Sequence, residues 1–135
     1  MTNPETPLAV ITVTYSPGKH LPALVESLAE ATAFPTRLIC ADNGSTDGVP
    51  QDVARANDSV DFLPTDGNIG YGPAINFAAR SLIDAKNAGH INPTYFLIVN
   101  PDVEFLPGSI DALLECARTH PEAGAVGPRL SLIHI

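Results

Sequence analysis

The sequence predicts an α/β domain in which a mostly parallel β-sheet carries helices on both faces. Apolar, β-branched runs alternate with stretches of helical spacing along most of the 135 residues. This order favours parallel strands joined by crossover helices. The first run, LAVITVTY at 8–15, is almost unbroken, which is typical of a strand covered on both faces. Polar loops follow the runs, and neither an internal repeat nor a low-complexity linker interrupts them.

Each element of the first half has its own signal. After the break at SPGKH, four apolar residues repeat at helical spacing and predict a helix over 21–33. They are Leu21, Leu24, Val25 and Leu28. TRLICAD at 36–42 predicts the second strand, which the turn-forming residues NGSTDG end. Pro50 suits the first turn of a short helix that ends near Asn57.

The second half repeats this order. Its predicted elements are strands at 59–64 and 94–99 and helices over 73–89 and 107–120. Gly89 is a natural stop for the first of these helices, and Ser109 is a candidate N-cap for the second. AGAVGP at 123–128 suits the start of a fifth strand.

Composition limits the class of partner. The chain has the length of one domain, with 44% hydrophobic and 16% charged residues, which is typical of a folded protein. Its net charge of −8 and its scattered basic residues argue against a nucleic-acid partner. An acidic protein can still bind a phosphorylated small molecule through a metal ion or through helix N-termini.

The termini and cysteines indicate a cytosolic protein. MTNPETP lacks the features of a secretory signal, and no apolar stretch approaches the roughly 20 residues that span a bilayer. Cys40 and Cys116 belong to no metal or redox motif, so we expect two reduced core thiols.

The last residues differ from the rest of the chain. LSLIHI at 130–135 ends on an apolar residue and resembles the translation of a sequencing adapter. We therefore interpret residues 131–135 as a non-native tail and expect the natural protein to continue past Leu130. A genuine short apolar tail or edge strand is the alternative.

The unusual loops share one predicted location. TYSPG, DNGSTDG, TDGNIGYG and NPDVEF each follow a predicted strand. In open α/β sheets, ligands bind outside the carboxyl ends of the strands. The sequence therefore predicts a binding site where these four loops meet.

Familiar nucleotide and catalytic motifs are missing. The first strand-to-helix turn has one glycine instead of G-x-G-x-x-G, and Gly18-Lys19 is followed by His20 instead of Ser or Thr. There is no G-x-S-x-G, and none of the four histidines lies in a recognisable motif.

Carboxylates at strand ends remain as candidates. Asp42 is the last residue of the predicted second strand and can accept the ring N–H of a uracil or thymine. Ser45, Thr46 and Asp47 add polar contacts or cap the next helix. Ordinary Asn-Gly turn chemistry is the alternative for this loop. Asp102 follows the fourth strand and suits Mg²⁺ or Mn²⁺, with substrate phosphate oxygens as further ligands. An Asx-type turn is the alternative there.

In this order and spacing, the segments TVTYS, DNGSTDG, GNIGYGPAINFAAR and NPDVEF resemble the nucleotide-sugar-binding half of family 2 glycosyltransferases of the GT-A fold. The resemblance covers about residues 8–129. VTYSPG and the segments at 63–72 and 100–114 are most similar to rhamnosyltransferases that use dTDP-rhamnose and a polyprenyl-diphosphate-linked acceptor in cell-wall synthesis.

The resemblance implies a role for each matching residue. Thr14 and Tyr15 line the base pocket, Asp42 binds the pyrimidine ring, and Asn43 and Ser45 shape the turn that carries it. Five further residues lie in the segment that closes over the ribose and diphosphate. These are Asn68, Gly70, Tyr71, Gly72 and Asn76. For Tyr71 and Asn76, packing and helix capping are the alternative roles.

Asn100-Pro-Asp occupies the place of the family's DxD motif. Asn100 replaces the first Asp, so Asp102 is the main metal ligand and Asn100 is left with a contact to the nucleotide. The resemblance implies a GT-A domain that is truncated after residues 1–130, its nucleotide-binding half. We therefore expect this part to bind the donor and to be inactive alone.

The implied reaction is an inverting displacement at the anomeric carbon of the sugar, with Mg²⁺ or Mn²⁺ as cofactor. The general base is expected beyond the end of this chain. The expected partners are a dTDP- or UDP-sugar and a lipid-linked acceptor, with no nucleic acid. We expect a cytoplasmic protein, and peripheral attachment to the inner face of the plasma membrane is left open. The alternatives are a UDP-sugar transferase of the same family, a non-catalytic nucleotide-binding module, and a nicotinamide oxidoreductase that lacks its fingerprint.

Overall fold

The protein is described by a computed structural model that covers residues 8–88 and 95–128. Within these residues, four strands and four helices alternate along the chain. They are β1 (Leu8–Thr14), α1 (His20–Ala31), β2 (Thr36–Asp42), α2 (Val49–Ala56), β3 (Val60–Pro64), α3 (Tyr71–Asn87), β4 (Tyr95–Ile98) and α4 (Ser109–Thr119). The four strands and four helices predicted before residue 121 are present, and their ends differ by at most two residues from those of the sequence analysis.

The described strands form one parallel sheet in the order β3-β2-β1-β4. The predicted parallel α/β architecture is therefore confirmed. The chain moves outward from β1 to β2 and β3, and then crosses back to place β4 on the other side of β1. This reversal makes the β1–β4 boundary the topological switch point, beside which open α/β sheets bind ligands.

Helices cover both faces of the sheet, as the sequence predicted. On one face, α1, α2 and α4 pack over a core that includes Leu24, Cys40 and Ile110. On the other face, α3 packs Ala74, Ala78 and Leu82 against β1 and β2. The small alanines bring α3 close to the sheet, and β1 is buried along almost its whole length because both layers meet on it. Packing on both faces of the sheet therefore fixes the positions of the carboxyl ends of the strands.

Two predictions for the last part of the chain are wrong: the N-cap of α4 and the fifth strand. Ser109 is not the N-cap of α4, since Gly108 takes that place with φ 75°, a left-handed conformation that glycine adopts readily. The Ser109 hydroxyl is instead buried without a hydrogen-bond partner in the described part of the chain. Residues 123–128 form no fifth strand; they are exposed and line a groove beside β4 and α4. Two glycines and a proline in this segment disfavour continuous strand pairing.

The two cysteines lie in different surroundings. Cys40 is buried on β2, where burial and then the charges of Asp42 and Asp61 raise its thiol pKa to about 12. Cys116 is exposed on α4, so the prediction of two core thiols is correct for Cys40 and wrong for Cys116. Among the described helices, none is long and apolar enough to cross a membrane. The predicted tail at 131–135 and the helix stop at Gly89 lie outside the described residues.

Candidate nucleotide-binding site at the carboxyl edge of the sheet

The strand register brings the predicted loops to one edge. Thr14, Asp42 and Pro64 are neighbours at the ends of β1, β2 and β3, because Asp42 pairs with both of the others. On the other side of β1, the backbone N–H of Val99 donates to Ile11, after which the chain leaves β4. Four strand-to-helix loops therefore start from the same edge, as the sequence predicted.

Asp42 is the most heavily hydrogen-bonded carboxylate at this edge. Its side chain is buried, and its Oδ1 accepts hydrogen bonds from the hydroxyls of Thr14, at 2.6 Å, and Ser45. Its Oδ2 accepts the backbone N–H groups of Gly44, at 3.2 Å, and Ser45, at 2.9 Å. Burial by itself raises the pKa of this carboxyl, but the four donors outweigh burial and hold the pKa below its ordinary value.

This network limits how Asp42 can read a base. Each carboxylate oxygen already accepts two hydrogen bonds, which fills the roughly four lone-pair sites of the group. A ring N–H must therefore take the place of one donor. The Ser45 hydroxyl is the one within reach of solvent, since Thr14 is fully buried and the other two donors are backbone groups. Thr14 itself faces inward and supports Asp42 instead of lining an open pocket.

Asn43 and Thr65 form a second hydrogen-bond network, of which the sequence analysis predicted only Asn43. Asn43 is buried and donates through Nδ2 to the carbonyl of Gly70 at 3.1 Å. The Thr65 hydroxyl lies 2.7 Å from Asn43 Oδ1 and 2.8 Å from the carbonyl of Gly67. These contacts tie the loop after β2 to the loop before α3. Thr65, which directly follows β3, was missed, although a polar residue at a strand end was the signal that found Asp42.

The loop before α3 presents its predicted residues to solvent. Gly70 is the N-cap with φ 91°, and its N–H donates to Oδ1 of Asn68. The first hydrogen bond within the helix runs from Ala74 to Gly70, so the N–H groups of Tyr71 and Gly72 precede the helical ladder. Such N-terminal groups carry partial positive charge and suit an anionic ligand. The side chains of Tyr71, Asn76 and Asn68 are exposed at this end of the helix.

Asp102 lies in a tight turn at the switch point. The N–H of Val103 donates to the carbonyl of Asn100 at 3.2 Å, which places Pro101 and Asp102 at the two central positions of the turn. Asn100 and Asp102 are exposed, and the Asp102 carboxylate accepts no hydrogen bond from residues 8–88 and 95–128. The turn therefore closes through the backbone, and the alternative of an Asx-type turn is wrong for the described residues.

The surroundings of Asp102 decide which metal it could hold. In the described part of the chain, no group of three or more His, Cys, Asp and Glu side chains converges as a metal cage. A single exposed carboxylate fits Mg²⁺ or Mn²⁺, which keep several waters and take phosphate oxygens as further ligands. It does not fit a structural zinc ion, which needs four protein ligands.

Both carboxylates lie at the same edge on either side of β1. β2 and β4 are the two neighbours of β1, so the strands that carry Asp42 and Asp102 are about 10 Å apart. Tyr15, whose ring is exposed, directly follows β1, the strand between them. Two grooves of about 590 Å³ lie elsewhere, between α1 and α2 and beside β4, and neither contains a predicted site residue. The candidate site is an open edge, because Tyr15, Asn100 and Asp102 are exposed there.

Comparison with known proteins identifies the family. A family model described as glycosyl transferase family 2 matches residues 9–132. The chain belongs to glycosyl transferase family 2. The resemblance found in the sequence is therefore confirmed. Family 2 glycosyltransferases of the GT-A fold generally use a divalent metal ion.

Relatives of known sequence are similar across the same region. The chain is 47% identical over 123 residues to the N-acetylglucosaminyl-diphospho-decaprenol L-rhamnosyltransferase of Mycobacterium tuberculosis, in strains CDC 1551 / Oshkosh and H37Rv. The match covers 90% of this chain and 40% of the relative. The chain thus spans about two fifths of the length of these curated relatives.

Solved structures share the fold. The chain superposes on S. aureus TarS with a TM-score of 0.67 and 21% identity, covering 85% of this chain and 20% of TarS. TarS 1-349 in complex with UDP-GlcNAc gives a TM-score of 0.68 at 22% identity, covering 85% of this chain and 32% of that one. At this identity the likeness shows the fold, which is that of GT-A glycosyltransferases.

Proposed function

We propose that this chain is the donor-binding half of an inverting glycosyltransferase. The whole enzyme transfers L-rhamnose from dTDP-rhamnose to a polyprenyl-diphosphate-linked acceptor in cell-wall polysaccharide synthesis. The observation that carries the proposal is the 47% identity to an L-rhamnosyltransferase, which extends over 123 residues. We propose a cytoplasmic location, peripheral to the inner face of the plasma membrane, because the acceptor named for that relative is a decaprenol-linked sugar.

The donor is held along the edge from β2 to β4. The exposed Tyr15 ring and the Asp42 carboxylate contact the pyrimidine. The Thr14 hydroxyl and the backbone N–H groups of Gly44 and Ser45 hold Asp42 in place. The N–H groups at the start of α3 face the diphosphate, and Asn100 contacts the nucleotide beside it.

Asp102 would hold Mg²⁺ or Mn²⁺. Its carboxylate is exposed and accepts no hydrogen bond from the described residues, so it is available to a cation. When bound, such an ion stabilises the negative charge of the departing nucleoside diphosphate. The acceptor hydroxyl is deprotonated by a general base that we place outside this chain.

A UDP-sugar is the second candidate donor. One observation favours it: the structural relative TarS was solved in complex with UDP-GlcNAc and with UDP. Uracil and thymine offer the same N–H group to Asp42, so the base-reading carboxylate does not separate these two donors. A non-catalytic nucleotide-binding module is the third candidate, and transfer assays on the whole enzyme distinguish it.

A ligand screen tests the proposed site. The melting temperature of the 135-residue chain is measured with dTDP, UDP and NAD, each with and without Mn²⁺. We expect stabilisation by a pyrimidine diphosphate that requires Mn²⁺, because ligand binding to the folded state raises its stability by mass action. NAD should leave the melting temperature unchanged. Stabilisation by NAD alone would contradict the proposal and favour an oxidoreductase.

Asp102→Asn isolates the metal role. The amide keeps the size of the side chain and removes the charge, so we expect the Mn²⁺-dependent part of dTDP binding to fall at least about tenfold, the scale of one lost charged contact. Asp84→Asn is the matched control, because Asp84 is an exposed aspartate in the last part of α3, at the opposite edge of the sheet. Unchanged metal dependence in Asp102→Asn would exclude Asp102 as the ligand.

A further inference from the structure

Two loops of the candidate site are fastened to each other by side chains. The N–H of Ser16 donates to Ser45 Oγ at 2.7 Å, and the N–H of Thr46 donates to Ser16 Oγ at 3.0 Å. The N–H of Gly18 donates to Oδ2 of Asp47 at 2.9 Å. These bonds join the loop after β1 to the loop after β2, and we call this set of side chains, Ser16, Ser45, Thr46 and Asp47, the clasp.

The backbone at the clasp is in an unfavourable conformation. Ser16 has φ 49°, one of two non-glycine residues with positive φ in the described part of the chain. L-residues disfavour this region, and strained residues persist where surrounding bonds fix them. Ser16 is bonded on both sides, through its N–H and through its hydroxyl. The clasp therefore imposes a loop path that the residue would not adopt by itself.

The clasp fixes the direction of Tyr15. Tyr15 directly precedes Ser16, and 64% of its surface is exposed, so packing holds its ring only weakly. A Cβ atom built on Gly44 would meet Tyr15 Cε1 at 4.0 Å, which places the ring over the turn that carries Asp42. Asp42 is tied to the same clasp, because Ser45 donates to its carboxylate.

Asp47 supports this arrangement from the outer side. Its Oδ1 accepts the N–H of Val49 at 3.0 Å, and its Oδ2 accepts the N–H of Gly18. One carboxylate thus joins the start of α2 to the loop that carries Tyr15. The sequence analysis gave two alternative roles for Asp47, polar contacts or capping of the next helix. The contact to Gly18 shows that Asp47 also binds the loop after β1, which capping alone does not require.

We propose that Ser16 and Asp47 are positioning residues for the base end of the nucleotide site. They hold the Tyr15 ring in register with Asp42 before a pyrimidine nucleotide binds, and they act through Tyr15 without touching the nucleotide. Pre-organisation of this kind raises affinity because less ordering remains for the binding step. This inference rests on the proposed function.

A double-mutant cycle tests it on the 135-residue chain. The dissociation constant of dTDP with Mn²⁺ is measured for wild type, Asp47→Ala, Tyr15→Ala and the double variant. We expect Asp47→Ala to weaken binding about fivefold to tenfold, as for one or two lost hydrogen bonds. Tyr15→Ala should weaken binding at least as much, because it removes the ring that contacts the base. In the Tyr15→Ala background, Asp47→Ala should cost no further affinity, because residues that act through one another are not additive. The Mn²⁺ dependence should be unchanged in all four proteins.

Controls separate positioning from general stability. Asp58→Ala removes an exposed aspartate from the turn between α2 and β3, at the opposite edge, and should leave dTDP affinity unchanged. Ser16→Ala removes the hydroxyl from the other half of the clasp and repeats the cycle if Asp47→Ala does not fold. Additive losses from Asp47→Ala and Tyr15→Ala would overturn the inference and leave the proposed function intact. Failure of the wild type to bind dTDP or UDP would overturn the proposed function itself.

Discussion

At the scale of single residues, the candidate site divides into side chains that face inward and side chains that face solvent. Thr14, Asp42 and Asn43 are buried and spend their hydrogen bonds on the protein. Tyr15 and Asp102 point outward from the same edge. Thr14 and Asn43 fix the shape of the edge, whereas Tyr15 and Asp102 are available to a ligand. Asp42 becomes available when a ring N–H takes the place of the Ser45 hydroxyl.

Asp42 makes the stability of the protein depend on pH. Its pKa is below the ordinary value of about 3.9 because four hydrogen-bond donors outweigh burial. The unfolded chain therefore binds a proton more readily than the folded one, so this contribution is complete above about pH 4 to 5 and is lost as the pH falls through the folded pKa. Urea unfolding between pH 7 and pH 2 measures the loss.

Asp42→Asn should remove the contribution of the Asp42 carboxylate to the free energy of unfolding and to its pH dependence. The amide cannot accept four hydrogen bonds, so we expect a loss of about 1–3 kcal/mol at pH 7 and a shallower decline toward acid pH than in wild type. Asp66→Asn is the control, since Asp66 is an exposed aspartate in the loop after β3 whose side chain accepts no hydrogen bond from the described residues. An acid decline as steep in Asp42→Asn as in wild type would show that other carboxyls set it.

At the scale of elements, the position of the loop between β4 and α4 depends on hydrogen bonds to helix α1. The loop that carries Asp102 is followed by Phe105, whose N–H donates to Ser27 Oγ of α1 at 3.1 Å. The N–H of Gly108 then donates to the carbonyl of Glu30. The segment between β4 and α4 is therefore fastened to α1, which keeps the turn at Asp102 beside the sheet.

Asp111 completes this attachment. Its Oδ1 accepts the hydroxyl of Thr32, and its Oδ2 accepts the N–H of Ala33 at 3.1 Å, so the first turn of α4 caps the chain leaving α1. We expect Asp111→Ala to lower the free energy of unfolding by about 1–3 kcal/mol, since it leaves the buried Thr32 hydroxyl without this acceptor.

Urea unfolding of Asp111→Ala, Thr32→Val and the double variant measures this contact. Losses smaller in combination than in sum are expected for residues in contact. Glu115→Ala on the exposed side of α4 is the control, because its partner Arg118 is also exposed and such pairs contribute little. A loss from Glu115→Ala as large as that from Asp111→Ala would show that helix α4 is sensitive to any truncation.

At the scale of the whole molecule, the proposed function assigns one side of a reaction centre to the described residues. The residues proposed to bind the donor lie at the carboxyl edge, on both sides of the β1–β4 switch point. The curated relatives are longer, since the match covers 40% of their length. We place the acceptor pocket and the general base in that remaining length.

Turnover is therefore the test at this scale. We expect the 135-residue chain to bind dTDP with Mn²⁺ and to show no detectable transfer from dTDP-rhamnose to N-acetylglucosaminyl-diphospho-polyprenol. The longer mycobacterial relative, assayed under the same conditions, is the positive control. Robust transfer by the 135-residue chain would place the general base within it and refute the division proposed here.

The sequence by itself determined the order of elements, the parallel sheet and the edge at which the loops gather. These follow from local periodicity and from a rule that parallel strands share one carboxyl edge. Only the tertiary structure decided which polar side chains at that edge face inward, and it supplied Thr65 and the clasp. The contact between Thr14 and Asp42 joins residues 28 positions apart, and no pattern within either strand specifies it. Gly108 took the place of Ser109 as a cap for a related reason, because docking of α4 on α1 fixes where the helix begins.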